Sequence, residues 1–381
     1  MTDAIPAARQ LLEEEMERFE RFLAAALDEQ RGYLTASERD LYARGKKLRP
    51  ILLLLSARLT GRRSAGRPTV DDGVAGGGVV SGPVVTDKAV KAAVSLEMLH
   101  VATLIHDDIV DQAPLRRGLM SVHGERGTEM AVLLGDMQFI QAIRCFAHAV
   151  ETERDMRLVR LVLDVGFRIC CGELDELQTD PEASPQELRE RYLQTVDRKT
   201  AMLFGLACEA GASLADAGER ATFQISRFGR SFGLAFQIMD DLMDFVRPDA
   251  ASGKALARDL RQGRLSLPII YALEELPREH ELHEIVRRPL ADQPITDQPV
   301  AEQTTAEETV RRVVDAVVAS SGFLRAYSEA RAAIAEALQG LGQFPDGAER
   351  RALTALAREV VDRSIHRPDA ELARRSALVG A

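Results

Sequence analysis

The sequence predicts an all-α fold: one helical bundle running through residues 1–381 as a single domain. Three observations carry that prediction. Apolar residues recur at helical spacing along most of the chain, alternating strand patterns with hairpin turns are scarce, and an Asp-rich pattern of the form D-D-x-x-D occurs twice, each time at the end of an apolar run.

The helical segments follow in order. Residues 9–34 place Leu11, Leu12, Met16, Phe19, Phe22, Leu23 and Leu27 on one stripe with charges between them. Residues 89–110, 128–150, 154–178, 186–211, 219–245 and 268–276 repeat the pattern, and it resumes over 306–319, 323–339 and 347–364. Two interruptions stand out. Residues 61–87 are rich in Gly, Pro and Ser and read as a flexible insertion, with Val79-Val80 and Val84-Val85-Thr86 its only strand-like pieces. Residues 289–305, rich in Pro, Gln and Thr, read as a second loop, and the tail after Arg367 reads as frayed.

Composition narrows the function classes. A formal net charge of -10 opposes general nucleic-acid binding, so a polyanionic ligand must be held by local cations or metal ions. The four cysteines, Cys145, Cys170, Cys171 and Cys208, form no C-x-x-C pair and read as buried free thiols suited to a reducing compartment. The first ten residues lack the basic start and apolar core of a secretory signal, and the run Ile51–Leu55 is far too short to span a bilayer, so a cytoplasmic protein without a transmembrane segment is expected.

The two acidic clusters are Asp107-Asp108-Ile109-Val110-Asp111 and Asp240-Asp241-Leu242-Met243-Asp244. On a helix the first and last Asp of each lie four apart on one face, where like charges repel. Ala102–Ile105 precede the first cluster and Leu234–Phe236 the second, so each concentrates negative charge at the end of a core helix. Such a placement requires a compensating cation. A hard divalent ion fits oxygen ligands, and magnesium fits best because it keeps waters and shares its shell with phosphates. The alternative for either cluster alone is a solvated acidic helix end. Glu97-Met98-Leu99-His100 has the Glu-x-x-His form of di-iron bundles, but those sites need two such motifs plus two further glutamates, and the sequence has no second Glu-x-x-His.

Cationic residues accompany the acids. Gly45-Lys46-Lys47-Leu48-Arg49-Pro50 precedes an apolar helix, and Lys46 and Arg49 are spaced to converge on one phosphate group. Arg116-Arg117-Gly118 follows the first cluster closely, His100 lies about two helical turns before Asp107, and Lys199-Thr200 and Gly253-Lys254 are further candidates. Any one of these alone would read as a surface charge or a core histidine.

Taken together, these segments resemble the all-trans (E-type) prenyl diphosphate synthases, the polyprenyl synthetase family. The matching pieces run in family order from about Arg44 to Arg363: G-K-x-x-R-P at 45–50, Glu97 to His106 leading into the first cluster, Arg116-Arg117-Gly118, Ala131 to Asp136, Gly172-Glu173, Lys199-Thr200, Gly233 to Gln237 leading into the second cluster, Gly253-Lys254, Asp259-Leu260 and Leu267-Pro268. The family's Gly-Lys before Leu-Pro reads Gly263-Arg264 here, and its usual Thr is Ser266. The resemblance implies an all-α fold of roughly a dozen helices around a central cavity, usually as a homodimer. It implies that Lys46, Arg49, His100 and Arg117 bind isopentenyl diphosphate and that Arg116, Lys199, Gln237 and Lys254 hold an allylic diphosphate. Asp107, Asp111 and Asp240 would ligate magnesium, three ions being shared with the substrate diphosphate, while Asp108, Asp241 and Asp244 act through water. Thr200 would shelter the developing cation.

The implied reaction ionises the allylic diphosphate, couples it head to tail with isopentenyl diphosphate and loses a proton. The helix before Asp107 would line the path of the growing tail, and one turn rises about 5.4 Å, close to one isoprene unit. Ala102 and Thr103, one turn below Asp107, are not aromatic, and Met98 or Leu99 could close the tunnel lower down. A product longer than farnesyl diphosphate is therefore expected, either geranylgeranyl or longer. Two alternatives compete. A class I terpene cyclase would normally replace the second cluster and has no need of residues 45–50, and a non-catalytic subunit of a heteromeric synthase would usually have lost aspartates that are all present here.

Overall fold

The computed structural model describes residues 4–65, 85–116, 118–150, 152–246, 257–289 and 300–365. Most of the 61–87 and 289–305 segments, the tail beyond residue 365, Arg117 and Lys254 lie outside the described residues.

The chain opens with α1 (Ala4–Leu11), α2 (Glu13–Asp28) and α3 (Ala36–Ala43). The single helix expected over 9–34 is broken at Leu12, whose ψ of 23° leaves the helical well. Leu12 is wholly buried, so the kink keeps its side chain in the core while the two helices diverge. Next come α4 (Leu48–Ala65), α5 (Asp87–Val110), α6 (Val122–Ala147) and α7 (Glu153–Leu177). α4 reaches into the expected insertion, so 61–65 is helix rather than loop. Between α5 and α6 sits the one small sheet of the described residues, β1 (Leu115–Arg116) antiparallel to β2 (Leu119–Met120), turning at Gly118 with φ 75°.

α8 (Pro185–Val196) runs through a π-helical turn, Asp197–Ala201, into α9 (Met202–Leu214), and α10 (Glu219–Val246) follows. The remainder is α11 (Arg258–Arg261), α12 (Leu267–Glu275), α13 (Glu281–Arg287), α14 (Val300–Ala319), α15 (Ser321–Leu341) and α16 (Ala348–Ile365). α14 begins at Val300, which corrects the expected end of the second loop. Ala301, Glu302 and Gln303 are good helix formers and extend the helix back towards Pro299.

α4, α5, α9 and α10 form the centre. Leu52, Leu53, Leu54 and Leu55 on α4 and most of α9 are buried on every side, as expected of helices enclosed by others. Gly211 on α9 permits the closest approach, since a Cβ there would stand 2.1 Å from the Leu53 carbonyl oxygen. The two ends of the chain meet where the Ala4 amide donates to Glu359 Oε2 at 2.9 Å.

α5 and α6 are long and apolar enough to cross a membrane by length and composition, although 72% of the apolar stretch of α5 is buried inside the bundle. α6 and α7 instead turn apolar side chains outwards, among them Leu133, Ile140, Leu163, Phe167, Leu174 and Leu177. Cys170 lies on that outward stripe and is exposed, Cys145 and Cys171 are half-buried and only Cys208 is buried, which corrects the expectation that all four thiols are buried.

Candidate active site

The first acidic cluster lies in the last turn of α5, where the exposed carbonyls already carry partial negative charge and acidic side chains are disfavoured. Cations compensate from three directions. The β1–β2 hairpin folds back so that Arg116 Nε donates to Asp108 Oδ1 at 2.7 Å and its Nη2 stands 2.6 Å from the same oxygen. Arg264 forms an ion pair with Asp111, Arg258 stands 3.8 Å from it, and Gln262 donates to the Asp111 carbonyl at 3.3 Å. Lys199 lies near Asp107 and pulls its carboxyl down, as does Arg116, but burial wins and holds that carboxyl above the usual range. Burial likewise raises Asp108 in spite of Arg116.

Lys199 is presented by the π-helical turn, which offsets the helical register between α8 and α9. Its ammonium bridges two carboxylates of α7, Glu173 at 2.7 Å and Glu176. Gly172 lets α7 come this close, since a Cβ there would meet Lys199 Cγ at 2.8 Å. Burial, and then the nearby Asp107, push Glu173 up to about 7. Burial would raise Glu176 too, yet Lys199 and Arg264 together hold it low. Against its own burial, Lys199 is kept charged by Glu176, Glu173 and Asp107.

The second cluster ends α10. Asp241 is buried and accepts from the Tyr192 hydroxyl at 2.6 Å and from Gln237 Nε2 at 2.8 Å. Gln237 in turn accepts from Thr200 Oγ1 at 2.9 Å, so the π-helical turn and the second cluster belong to one hydrogen-bond chain. Burial and the neighbouring Asp259 drive the Asp241 carboxyl well up. Asp244 accepts from the Asp259 amide at 3.0 Å through Oδ2 and from the Ala257 amide at 3.1 Å through its carbonyl. Burial and Asp244 raise Asp259 to about 7. Asp240 is exposed on the outer side of the cluster.

One segment, 257–264, therefore touches both clusters: its backbone holds Asp244 and its Arg264 side chain holds Asp111. Carboxylates outnumber cationic side chains in this region, and all donors are hard oxygens, so the donor set suits a divalent cation that shares its shell with phosphate oxygens. Among the described residues no group of three or more His, Cys, Asp or Glu side chains is already gathered closely enough to hold a metal ion by itself.

The expected phosphate-binding residues divide. Lys46 is exposed and Arg49 and His100 are half-buried, with the Arg49 guanidinium 4.4 Å from the Phe204 ring centre. Arg116, Lys199, Thr200 and Gln237 join the acidic network, whereas Arg117 and Lys254 lie outside the described residues. On α5, Met98 and Ala102 are wholly buried, Leu99 is buried and Thr103 is half-buried, its hydroxyl donating to the His100 carbonyl at 2.8 Å. Sequence reasoning assigned no role to Glu173, Glu176, Tyr192, Asp259 or Arg264. The spacing of Glu173 and Glu176, three apart on one helix face, was the available signal that a cation lies opposite.

The polyprenyl synthetase family profile matches residues 32–302. The chain is 28% identical to heptaprenyl diphosphate synthase component 2 of Bacillus subtilis, over 84% of this chain and 79% of that protein. It is 31% identical to nonaprenyl diphosphate synthase of Mycobacterium tuberculosis, over 84% of each. The crystal structure of a polyprenyl synthase from Caulobacter crescentus, complexed with calcium and isoprenyl diphosphate, superposes with a TM-score of 0.74 at 27% identity, covering 95% of this chain and 98% of that one.

Proposed function

The chain belongs to the polyprenyl synthetase family, and on that premise we propose that it is a magnesium-dependent prenyltransferase making a long all-trans polyprenyl diphosphate. It condenses isopentenyl diphosphate with an allylic diphosphate, head to tail. Residues 1–381 act as one domain. The observation that carries the site assignment is the joining of the two D-D-x-x-D clusters through segment 257–264, which brings two acidic helix ends to one place.

Asp107, Asp111 and Asp240 would hold magnesium directly, and Asp108, Asp241 and Asp244 would support it through water. When bound, the metal neutralises charge building on the departing diphosphate. Arg116 and Lys199 add fixed positive charge beside the leaving group, each already oriented by carboxylate partners and so costing little reorganisation. Gln237 helps hold the allylic diphosphate, and Thr200, whose hydroxyl donates to Gln237 Oε1, shelters the developing allylic cation while the apolar interior excludes water. Lys46, Arg49 and His100 hold isopentenyl diphosphate with its double bond against the allylic carbon, which removes most of the entropy cost of encounter. The released diphosphate takes the proton after coupling, so no protein base is required.

The outward apolar side chains of α6 and α7, with Phe167 71% exposed, support a homodimer. A second reading is favoured by the Bacillus subtilis relative, which is named as one component of its synthase: this chain would then elongate only with a partner subunit. Purified chain, magnesium, isopentenyl diphosphate and farnesyl diphosphate, with dephosphorylated products weighed by mass spectrometry, decide between them. A polyprenol longer than farnesol establishes the proposed activity. No elongation from any allylic primer selects the subunit reading, and a hydrocarbon product selects a cyclase.

A further inference from the structure

We infer that the buried Lys47–Glu97 ion pair is a positioning device that sets the isopentenyl diphosphate site; this rests on the proposed assignment of Lys46, Arg49 and His100 to that substrate. Lys47 Nζ lies 3.0 Å from Glu97 Oε1, and the two side chains are 1% and 3% exposed. The same ammonium donates to the Tyr42 carbonyl, and the Tyr42 hydroxyl donates to Gln138 of α6 at 2.5 Å. One lysine thus ties the end of α3, the start of α4 and the body of α5 together.

Two unfavourable features coincide at Lys47. Its side chain is a charge removed from water, where a matched apolar pair would often be neutral or stabilising. Its backbone has φ 55°, the left-handed region that a lysine rarely adopts, directly after Gly45 and Lys46. Packing alone does not explain the buried charge, since methionine and leucine would fill about the same volume. The arrangement does explain the placement of the phosphate-binding residues. With Lys47 drawn inwards, its neighbour Lys46 is left on the exposed side. The Lys47 carbonyl accepts from the Ile51 amide at 3.0 Å and starts α4, which carries Arg49 across the Phe204 ring. Glu97 lies three residues before His100, on the same face of α5. The ion pair therefore fixes two substrate-binding residues of one helix entry against a third on the facing helix. The Glu-x-x-His spacing at 97–100, which serves no di-iron site, joins the anchor to the ligand it positions.

The test is the paired variant Lys47→Met/Glu97→Leu, which removes both charges together so that neither is left buried without its counter-charge. The KM for isopentenyl diphosphate is expected to rise tenfold or more, while the KM for the allylic primer stays within twofold and the melting temperature does not fall. Titration calorimetry with isopentenyl diphosphate alone should show the same loss of affinity. A folded variant with unchanged isopentenyl KM, or an equal rise in both KM values, overturns the inference. Should the pair not fold, Glu97→Gln keeps the volume and reads the same split: a selective rise in the isopentenyl KM supports the inference, and uniform loss or no change overturns it. A parent protein that does not bind isopentenyl diphosphate overturns the functional reading instead, whereas a parent and variant that bind it equally overturn this inference alone.

Discussion

Arg264 and Asp111 form an ion pair across 153 residues of sequence, and through it the loop that follows the second aspartate cluster grips the first. Asp111 caps α5 and its side chain is 4% exposed, while that of Arg264 is 24% exposed. The guanidinium also lies close enough to Glu176 and Asp259 for both to hold its charge in place, against its burial. Arg264 is thus one of the resident counter-charges, with Arg116, Arg258 and Lys199, of a site that carries surplus acid, and it sits on a carboxylate assigned to the metal.

Replacing Arg264 with Met should expose that dependence. Removing one partner of a largely buried pair costs about 3 kcal/mol, which lowers the melting temperature of metal-free protein by about 4 °C. Magnesium with inorganic pyrophosphate should close most of the gap, because the ion supplies the missing charge. Thermal unfolding of parent and variant in chelator and in magnesium pyrophosphate reads this directly. An equal gap in both conditions would mean that Arg264 serves the fold and not the site.

Asp107→Ala is expected to separate activity from stability. Losing a direct metal ligand should remove about 4 kcal/mol of transition-state stabilisation, or about a thousandfold in kcat/KM. Stability of the metal-free protein should hold or rise, since burial already works against the Asp107 carboxylate. Steady-state rates and melting curves check the pair of outcomes. A variant within tenfold of the parent removes Asp107 from the metal site.

Much of this site is legible in the sequence. The paired D-D-x-x-D clusters, the Gly45–Pro50 entry and Lys199-Thr200 each carry a local pattern with a chemical meaning. Their compensation was not legible, because Arg264, Asp259 and Tyr192 reach the aspartates only through tertiary packing over long sequence separations. The π-helical turn at 197–201 carries no Gly or Pro to mark it, and its apolar pattern reads as uninterrupted helix. The break at Leu12 was hidden for the same reason: a buried leucine fits the stripe on either side of a kink. Cys170 was misread because α7 is apolar on a face that the bundle leaves exposed.

Glu173 gives a pH prediction. Its folded value, raised to about 7 by burial and by Asp107, exceeds its ordinary 4.5, so between those values the native state keeps a proton that the unfolded chain has released. The stability this contributes is complete below 4.5 and is lost as pH rises through about 7, with a slope of at most about 1.4 kcal/mol per pH unit. Asp259, also raised to about 7, adds a slope of the same sign. Metal-free Glu173→Gln should therefore lose less thermal stability than the parent between pH 5.5 and pH 8 (about the window set by these values), with Lys199 still held by Glu176. Parallel melting-temperature profiles for the two proteins would remove Glu173 as a titrating group.

The candidates for chain-length control occupy two faces of α5, and they should respond differently to a bulky ring. Ser95 donates to the Ala142 carbonyl, Met98 touches Cys145, and His106 packs over Gly135, so the face that includes Ala102 is pressed against α6. Leu99, Thr103 and Asp107 follow one another at four-residue spacing on a different face, the one that carries the metal-ligand candidate. Thr103 is half-buried while Ala102 has no exposed surface, so a ring at 103 meets less packing than one at 102. Thr103→Phe should fold normally and truncate the product, because it closes the path about one turn, or about 5.4 Å, below Asp107. Ala102→Phe should instead overpack the α5–α6 contact, at about 1–3 kcal/mol, and lower the melting temperature. Leu99→Ala should lengthen the product by clearing the next turn down. Mass spectrometry of dephosphorylated products, read beside melting curves, tests all three. A shortened product from Ala102→Phe with undiminished stability, together with an unchanged product from Thr103→Phe, would place the tunnel on the opposite face of α5.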